Sequence, residues 1–393
     1  MKEELYLSVY RRERHKMIKE NNIKINELLG YVFIVSSQIL FDFEITTISL
    51  SATFYNIFLF IALGSLAISI FFSSWTYREL YRAIFIIALS FCVYYSSKES
   101  LILFLVGTCL IVKVLGYTNV LKTLFITRLA ILLLVLNLAF LHVVPNELVP
   151  ISKGSNGWVS GRQLGFMHPN GAAVSIFILI LIFICIKKIK TNYFDILVVF
   201  LIELITTYLT KNRTTFILSL FLIVGLILLK NDLLNTILRK ASIIYVILIT
   251  GISIIFPMIY SWNLGPAQSF IFKLNGSLNG RLYNASLLFN SFKVTYFGQM
   301  INLDYLQQRF GYNVVDNGYT FMLFDYGIVG FILIMFLYFY AINSLLKKKQ
   351  YVYVWVLILF LSLGVMENTI RTLAMNFTTI FWFEYISKKK EKN

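Results

Sequence analysis

Arg162, His168, Pro169 and Asn170 stand close together in SGRQLGFMHPNGAA, just before an apolar run that ends in Lys187, Lys188 and Lys190. Arg213 opens a second apolar run in TKNRTT, and Arg281 sits in LNGRLYNASLLFN. Arg309 follows in DYLQQRFGYN and Arg371 in ENTIRTLA. A guanidinium keeps its charge at any working pH and forks onto two phosphate or carboxylate oxygens at once. Pro169 suits the first position of a helix, where its missing N–H costs nothing. The unpaired N–H groups of such a helix start favour an anion. The chemistry these residues suit is the holding of a phosphate group. Asp316, in VVDNGYTFMLFDYG, adds a carboxylate able to take a proton from a hydroxyl. It also stands where a helix N-cap is expected, and both roles fit. For His168 and Asn170, helix capping and ligand contact both fit, and Asn317 adds an amide beside Asp316. His, Cys and Asp show no metal-ligand spacing, so neither a metal nor another cofactor is expected.

The elements that must position these residues are membrane helices. Of 393 residues 58% are hydrophobic and 14% charged, and mean hydropathy is +0.76, values foreign to a water-soluble domain. The fold class expected is an all-α polytopic integral membrane protein. A span needs about 20 apolar residues, and runs of that kind suggest about twelve. They lie near 28–47, 53–72, 82–97, 100–116, 123–144, 168–186, 193–210, 214–229, 241–260, 318–346, 351–366 and 370–387. The membrane domain is then 28–387, between a basic segment 1–27 and a tail 388–393. Residues 1–27 lack the apolar core of a cleaved signal peptide. Cys92, Cys109 and Cys185 all lie inside apolar runs, so no disulfide framework is expected. The run 318–346 is long enough to tilt or to project from the bilayer.

Lysine and arginine in short loops set orientation. With both ends in the cytoplasm, every lysine cluster falls on the cytoplasmic side, including Lys187 to Lys190, Arg239-Lys240 and Lys347 to Lys349. The net charge of +16 is then mostly a topology signal and an attraction to anionic lipid. A nucleic-acid partner finds no support, since the basic residues are divided among loops. The loops 145–167 and 261–317 fall outside, and the second is the large one. Arg162, Arg213, Arg281, Arg309 and Arg371 remain on the disfavoured outer side. If their segments converge they form one cationic pocket; otherwise they are scattered charges, solvated or paired with Glu367 or lipid headgroups. In the large loop, Leu282, Ala285, Phe289 and Phe292 fall at helical spacing and form one apolar face, for the membrane or for packing. Asp325 and Glu203 lie inside spans, where acids are rare and often functional. Gly327 and Gly330 suit close helix packing.

Four pieces carry a resemblance: GRQLGFMHPNGAA, TKNRTTFILSL, LNGRLYNASLLFN and VDNGYTFMLFDYGIVG. In order, side and spacing they resemble the bacterial O-antigen and capsular polysaccharide polymerases, a superfamily shared with the O-antigen ligases. The resemblance runs from about residue 155 to 346, and the twelve-span layout is similar throughout. It implies a metal-independent glycosyltransferase of exopolysaccharide biosynthesis in the bacterial cytoplasmic (inner) membrane. The growing glycan would pass from undecaprenyl diphosphate to the nonreducing end of another lipid-linked repeat unit. A flippase and a chain-length regulator are implied partners, beside the lipid-linked oligosaccharide and membrane lipid. Residue by residue, Arg162 and Arg281 match arginines that bind diphosphate and glycan, and Arg213 an arginine at the corresponding helix start. Asp316 stands where the ligases carry a histidine that activates the acceptor, so catalytic roles fall to Asp316, Arg281 and Arg162. Substrate contacts fall to Arg213, His168, Asn170, Arg309, Asn317 and Arg371. The loop arginine followed eleven positions later by glycine, seen in some polymerases, is not matched, because Phe292 stands there. An O-antigen ligase is the nearest alternative, and a lipid-linked oligosaccharide flippase or transporter a more distant one.

Overall fold

The computed structural model describes residues 25–152, 157–188, 191–230, 233–262, 265–311 and 314–387. The basic N-terminal stretch through residue 24, the tail 388–393, Lys153 and Tyr312-Asn313 lie outside the described residues. Along the chain run α1 (Ile25–Glu44), α2 (Ala52–Phe71), α3 (Tyr77–Ser97), α4 (Leu101–Leu110) and α5 (Val112–Phe140). A hairpin of β1 (Leu148–Ser152) and β2 (Trp158–Arg162) follows, with Leu148 opposite Arg162. Next come α6 (Pro169–Lys187), α7 (Tyr193–Thr210), α8 (Arg213–Lys230), α9 (Leu233–Trp262), α10 (Gly265–Ser277), α11 (Arg281–Ser291) and α12 (Leu303–Phe310). The chain closes with α13 (Gly318–Asp325), α14 (Gly327–Lys347), α15 (Tyr351–Met366) and α16 (Phe383–Ile386).

Among the described residues nine helices are long and apolar enough to cross a membrane, and α4 and α15 are shorter apolar helices. Several present bare apolar flanks: Phe60 and Phe71 on α2 are 76% and 81% exposed. Water would not tolerate such surfaces around a whole bundle, whereas lipid demands them. The architecture is that of an all-α multi-pass membrane protein.

Four expected spans differ in the structure. The expected boundary between the fourth and fifth falls at Gly116 (φ 72, ψ 159), while Ile111, between α4 and α5, stays near helical geometry. The expected long span 318–346 is broken into α13 and α14, so it neither tilts nor projects as one rod. Segment 295–298 enters the break. Ile328 N–H donates to Thr295 O at 3.0 Å, Val329 N–H to Tyr296 O at 2.9 Å, and Gln299 N–H to Asp325 O at 3.2 Å. Gly327 (φ 71) and Gly298 (φ 87) meet back to back there. A Cβ on Gly327 would lie 2.2 Å from Gly298 N, and one on Gly298 2.0 Å from Asp325 O. Gly327 thus admits a loop, not a neighbouring helix. The expected twelfth span, 370–387, is not a continuous helix. It descends through a loop, a 3-10 stretch (Phe377–Trp382) and α16, buried among α3, α4, α5 and α14. Irregular backbone at membrane depth survives only where protein satisfies it. Here Asn376 Nδ2 donates to Ile370 O at 2.6 Å, and its Oδ1 accepts from Tyr338 and Thr378 hydroxyls at 3.1 and 2.7 Å.

Ion pairs sort the bundle into two ends. At one end Lys113 pairs with Glu79 at 2.9 Å, Arg82 donates to Tyr385 O at 2.8 Å, and Glu384 takes Lys348 and the Tyr117 hydroxyl. At the other end lie Glu99, Asp316, Asp325, Glu367, Arg281 and Arg371. Helices α10 to α12 fold over that second end. The expected apolar face turns inward: Leu282 and Ala285 are buried, the Phe289 ring meets Phe324 of α13 edge-on at 5.0 Å, and the Phe292 ring, just past α11, meets Tyr305 of α12 at 6.2 Å. Packing, not membrane contact, claims that face.

Candidate functional site

Two buried ion-pair nodes organise the second end. Arg281, first residue of α11, donates from Nε to Asp316 Oδ2 at 3.2 Å and from Nη2 to Glu367 Oε1 at 2.9 Å. One planar fork therefore ties the large loop to the end of α15. Arg371, in the loop after α15, donates from Nη1 to Glu99 Oε2 and Asp325 Oδ2, both at 3.0 Å. Its guanidinium lies 4.6 Å from the centre of the Phe321 ring. Burial works against the charge of both arginines. The carboxylates of Glu367 and Asp316 outweigh it at Arg281, and Asp325 leads the opposing groups at Arg371. Both guanidinium groups are held above their ordinary range.

Between these nodes opens a cavity of about 320 Å³, within the ~300–1,000 Å³ range of small-molecule sites. Asp316, Glu367, Asn368, Thr369, Arg371 and Asn170 supply its polar wall, and Phe321, Leu303, Val174 and Met375 supply apolar surface. Asp316 is not the helix cap. Asn317 takes that role, with Oδ1 accepting from Tyr319 N–H at 3.1 Å and Thr320 N–H at 3.0 Å, and Nδ2 donating to Ser253 O at 2.8 Å. Asn317 is buried and stands outside the cavity lining, so its predicted substrate contact gives way to capping. Asp316, released from capping, is one-fifth exposed and faces the cavity.

Neighbouring helix starts form the rim. His168 caps α6, its Nδ1 accepting from Asn170 N–H at 3.2 Å. Asn212 caps α8 through Thr215 N–H at 3.1 Å and donates from Nδ2 to Asn170 Oδ1 at 3.1 Å. That amide pair brings Arg213 beside the start of α6. Gly161 of β2 packs on the end of α7, where a Cβ would sit 2.5 Å from Thr210 O, and this places Arg162 on the same side. Arg162 and Arg213 are exposed and form no ion pair among the described residues.

The five arginines expected on the outer side thus do not build one cationic pocket. Arg281 and Arg371 are each held between two acids, so the cavity wall is locally anionic. Arg162 and Arg213 carry free charge at the rim, and Arg309, exposed on α12, donates to the Tyr305 hydroxyl and lies over its ring. Glu367, which the sequence offered as a partner for these arginines, pairs with Arg281, whereas Glu99 and Asn212 had no part in the expected site. The signal for the acids was present, since acids beside arginines at the same membrane face are natural partners. Asp325 proves to be an ion-pair partner of Arg371. Glu203 lies apart, buried on α7 beside the hydroxyls of Ser219 and Thr215 on α8. Compared with known proteins, the chain matches no family model, no curated protein and no solved structure.

Proposed function

We propose that the chain is a polysaccharide polymerase that joins lipid-linked repeat units at the outer face of the bacterial cytoplasmic membrane. One observation carries the reading: a carboxylate, Asp316, lines a cavity of mixed polar and apolar wall at one end of the bundle, while Arg213 at the start of α8 and Arg162 at the end of β2 are exposed and make no ion pair among the described residues. The sequence resemblance to O-antigen and capsular polymerases supplies the substrate class. In the proposed reaction the acceptor hydroxyl oxygen attacks the anomeric carbon of the donor glycan. The bond from that carbon to the diphosphate oxygen breaks, and undecaprenyl diphosphate leaves with the electron pair. The hydroxyl proton passes to Asp316. Arg162 and Arg213 neutralise charge growing on the diphosphate, which is electrostatic catalysis. Arg281 fixes the Asp316 carboxylate toward the cavity.

Purified protein in liposomes, given undecaprenyl-diphosphate-linked repeat units and excess chelator, should yield a ladder of longer glycans. One undecaprenyl diphosphate should be released per linkage. Absence of both ladder and release from well-folded protein refutes the reading. The sidedness has its own check, motivated by the lysine-rich turn at Lys347 to Lys349. Ser277→Cys, exposed on α10, should react with an impermeant maleimide in intact cells when Cys92 is replaced by serine. Lys349→Cys should react only after permeabilisation, and the reverse pattern would invert the topology.

A further inference from the structure

A second cavity, also of about 320 Å³, lies in the other half of the bundle, between α8, α9 and α15. Its wall is almost wholly apolar, with Leu218, Phe221, Leu238, Trp355 and Ile358 among the lining side chains. Phe221 and Ile237 are about half exposed, so the cavity opens on the lipid-facing flank. Gly225 makes room for the indole: a Cβ there would lie 2.1 Å from Trp355 Nε1. A hydrogen bond of 2.7 Å between the Tyr245 and Ser362 hydroxyls, on the exposed flank between α9 and α15, marks one end. The other end begins at Leu234, at the start of α9.

Length and charge select the occupant. From Leu234 to Tyr245 the helix rises about 16 Å at 1.5 Å per residue. That is roughly half of the ~30 Å hydrocarbon core, the depth of one leaflet. A chain lying there starts at the end of α9 that carries Arg239 and Lys240, close to Lys230 at the end of α8. Arg239 is exposed, stacks over the Tyr351 ring at 5.4 Å, and has no carboxylate partner among the described residues. We infer that this cavity holds an acyl chain of an anionic phospholipid, with its phosphate on Arg239 and its hydrocarbon against Trp355. The site stands at the end of the bundle remote from Asp316 and does not depend on the glycan reading.

Brominated acyl chains quench indole fluorescence on contact, which makes Trp355 the reporter. The protein is placed in phosphatidylcholine bilayers holding a minor fraction of brominated lipid, and the Trp355 component is taken as wild type minus Trp355→Phe. Brominated phosphatidylglycerol should quench it about fivefold more effectively than brominated phosphatidylcholine at the same fraction, the preference expected from one basic residue at a membrane surface. Arg239→Gln should equalise the two lipids. Ala241→Phe, which fills the cavity, should abolish the excess quenching while leaving the annular background. Equal quenching by both lipids in wild type overturns the inference, as does a phosphatidylglycerol preference that survives both substitutions.

Discussion

Arg281→Ala should abolish long polymer and also destabilise the protein, because it leaves Asp316 and Glu367 facing one another with no cation between them. Removing one partner of a buried pair costs about 3–5 kcal/mol. The low end applies here, since Asp316 and Glu367 keep 20% and 12% side-chain exposure. Arg281→Lys should recover part of the stability and little of the activity, because an ammonium cannot span both carboxylates in one plane. The structural and functional shares are separable. Adding Glu367→Gln and Asp316→Asn to Arg281→Ala removes the stranded charges, so thermal stability should return toward wild type. Polymer should not return. Thermal unfolding in detergent and glycan ladders from the same preparations provide the two readouts. A triple variant that regains chain extension would remove both Arg281 and Asp316 from the reaction.

Much of the fold was legible because its governing pattern is local. The apolar runs at 53–72, 193–210 and 351–366 coincide with α2, α7 and α15 to within a residue, since lipid imposes a length and a composition on each span. Irregular segments escaped for a physical reason. Hydropathy registers the apolar character of 318–346 but not the loop that caps its interior. The only local hint was glycine at 327, which needs positive φ. The run 370–387 is equally apolar, yet Asn376 inside it satisfies the Ile370 carbonyl and is itself held by Thr378 and by Tyr338 of α14, 38 residues upstream and outside any window that shows the run. The candidate site shows the same division. Arginines on the disfavoured face pointed to the end of the bundle where the Asp316 cavity lies. Their partners did not follow from spacing, because Arg281 reaches Glu367 86 residues away and Arg371 reaches Glu99 272 residues away. The expectation of one cationic pocket gives way to the alternative, also open in the sequence, of arginines paired with acids such as Glu367. For Asp316, base and cap were both open, and the neighbouring Asn317 takes the cap.

The reading as a polymerase rests most directly on Asp316 as the group that receives the acceptor proton. Asparagine keeps the shape and one oxygen for Arg281 Nε, and Glu367 still holds the other arm of the guanidinium. The stability lost in Asp316→Asn should therefore be about 1 kcal/mol or less, as for a partly exposed ion pair. Asparagine cannot take the proton, so the rate of chain extension should fall by about 10²-fold or more. The deciding measurement is that rate for wild type and Asp316→Asn in liposomes with undecaprenyl-diphosphate-linked repeat units, with thermal unfolding of both proteins alongside. A rate reduced by that factor at nearly unchanged stability is the result expected. A rate equal to wild type would contradict it, leaving Asp316 as no more than an anchor for Arg281.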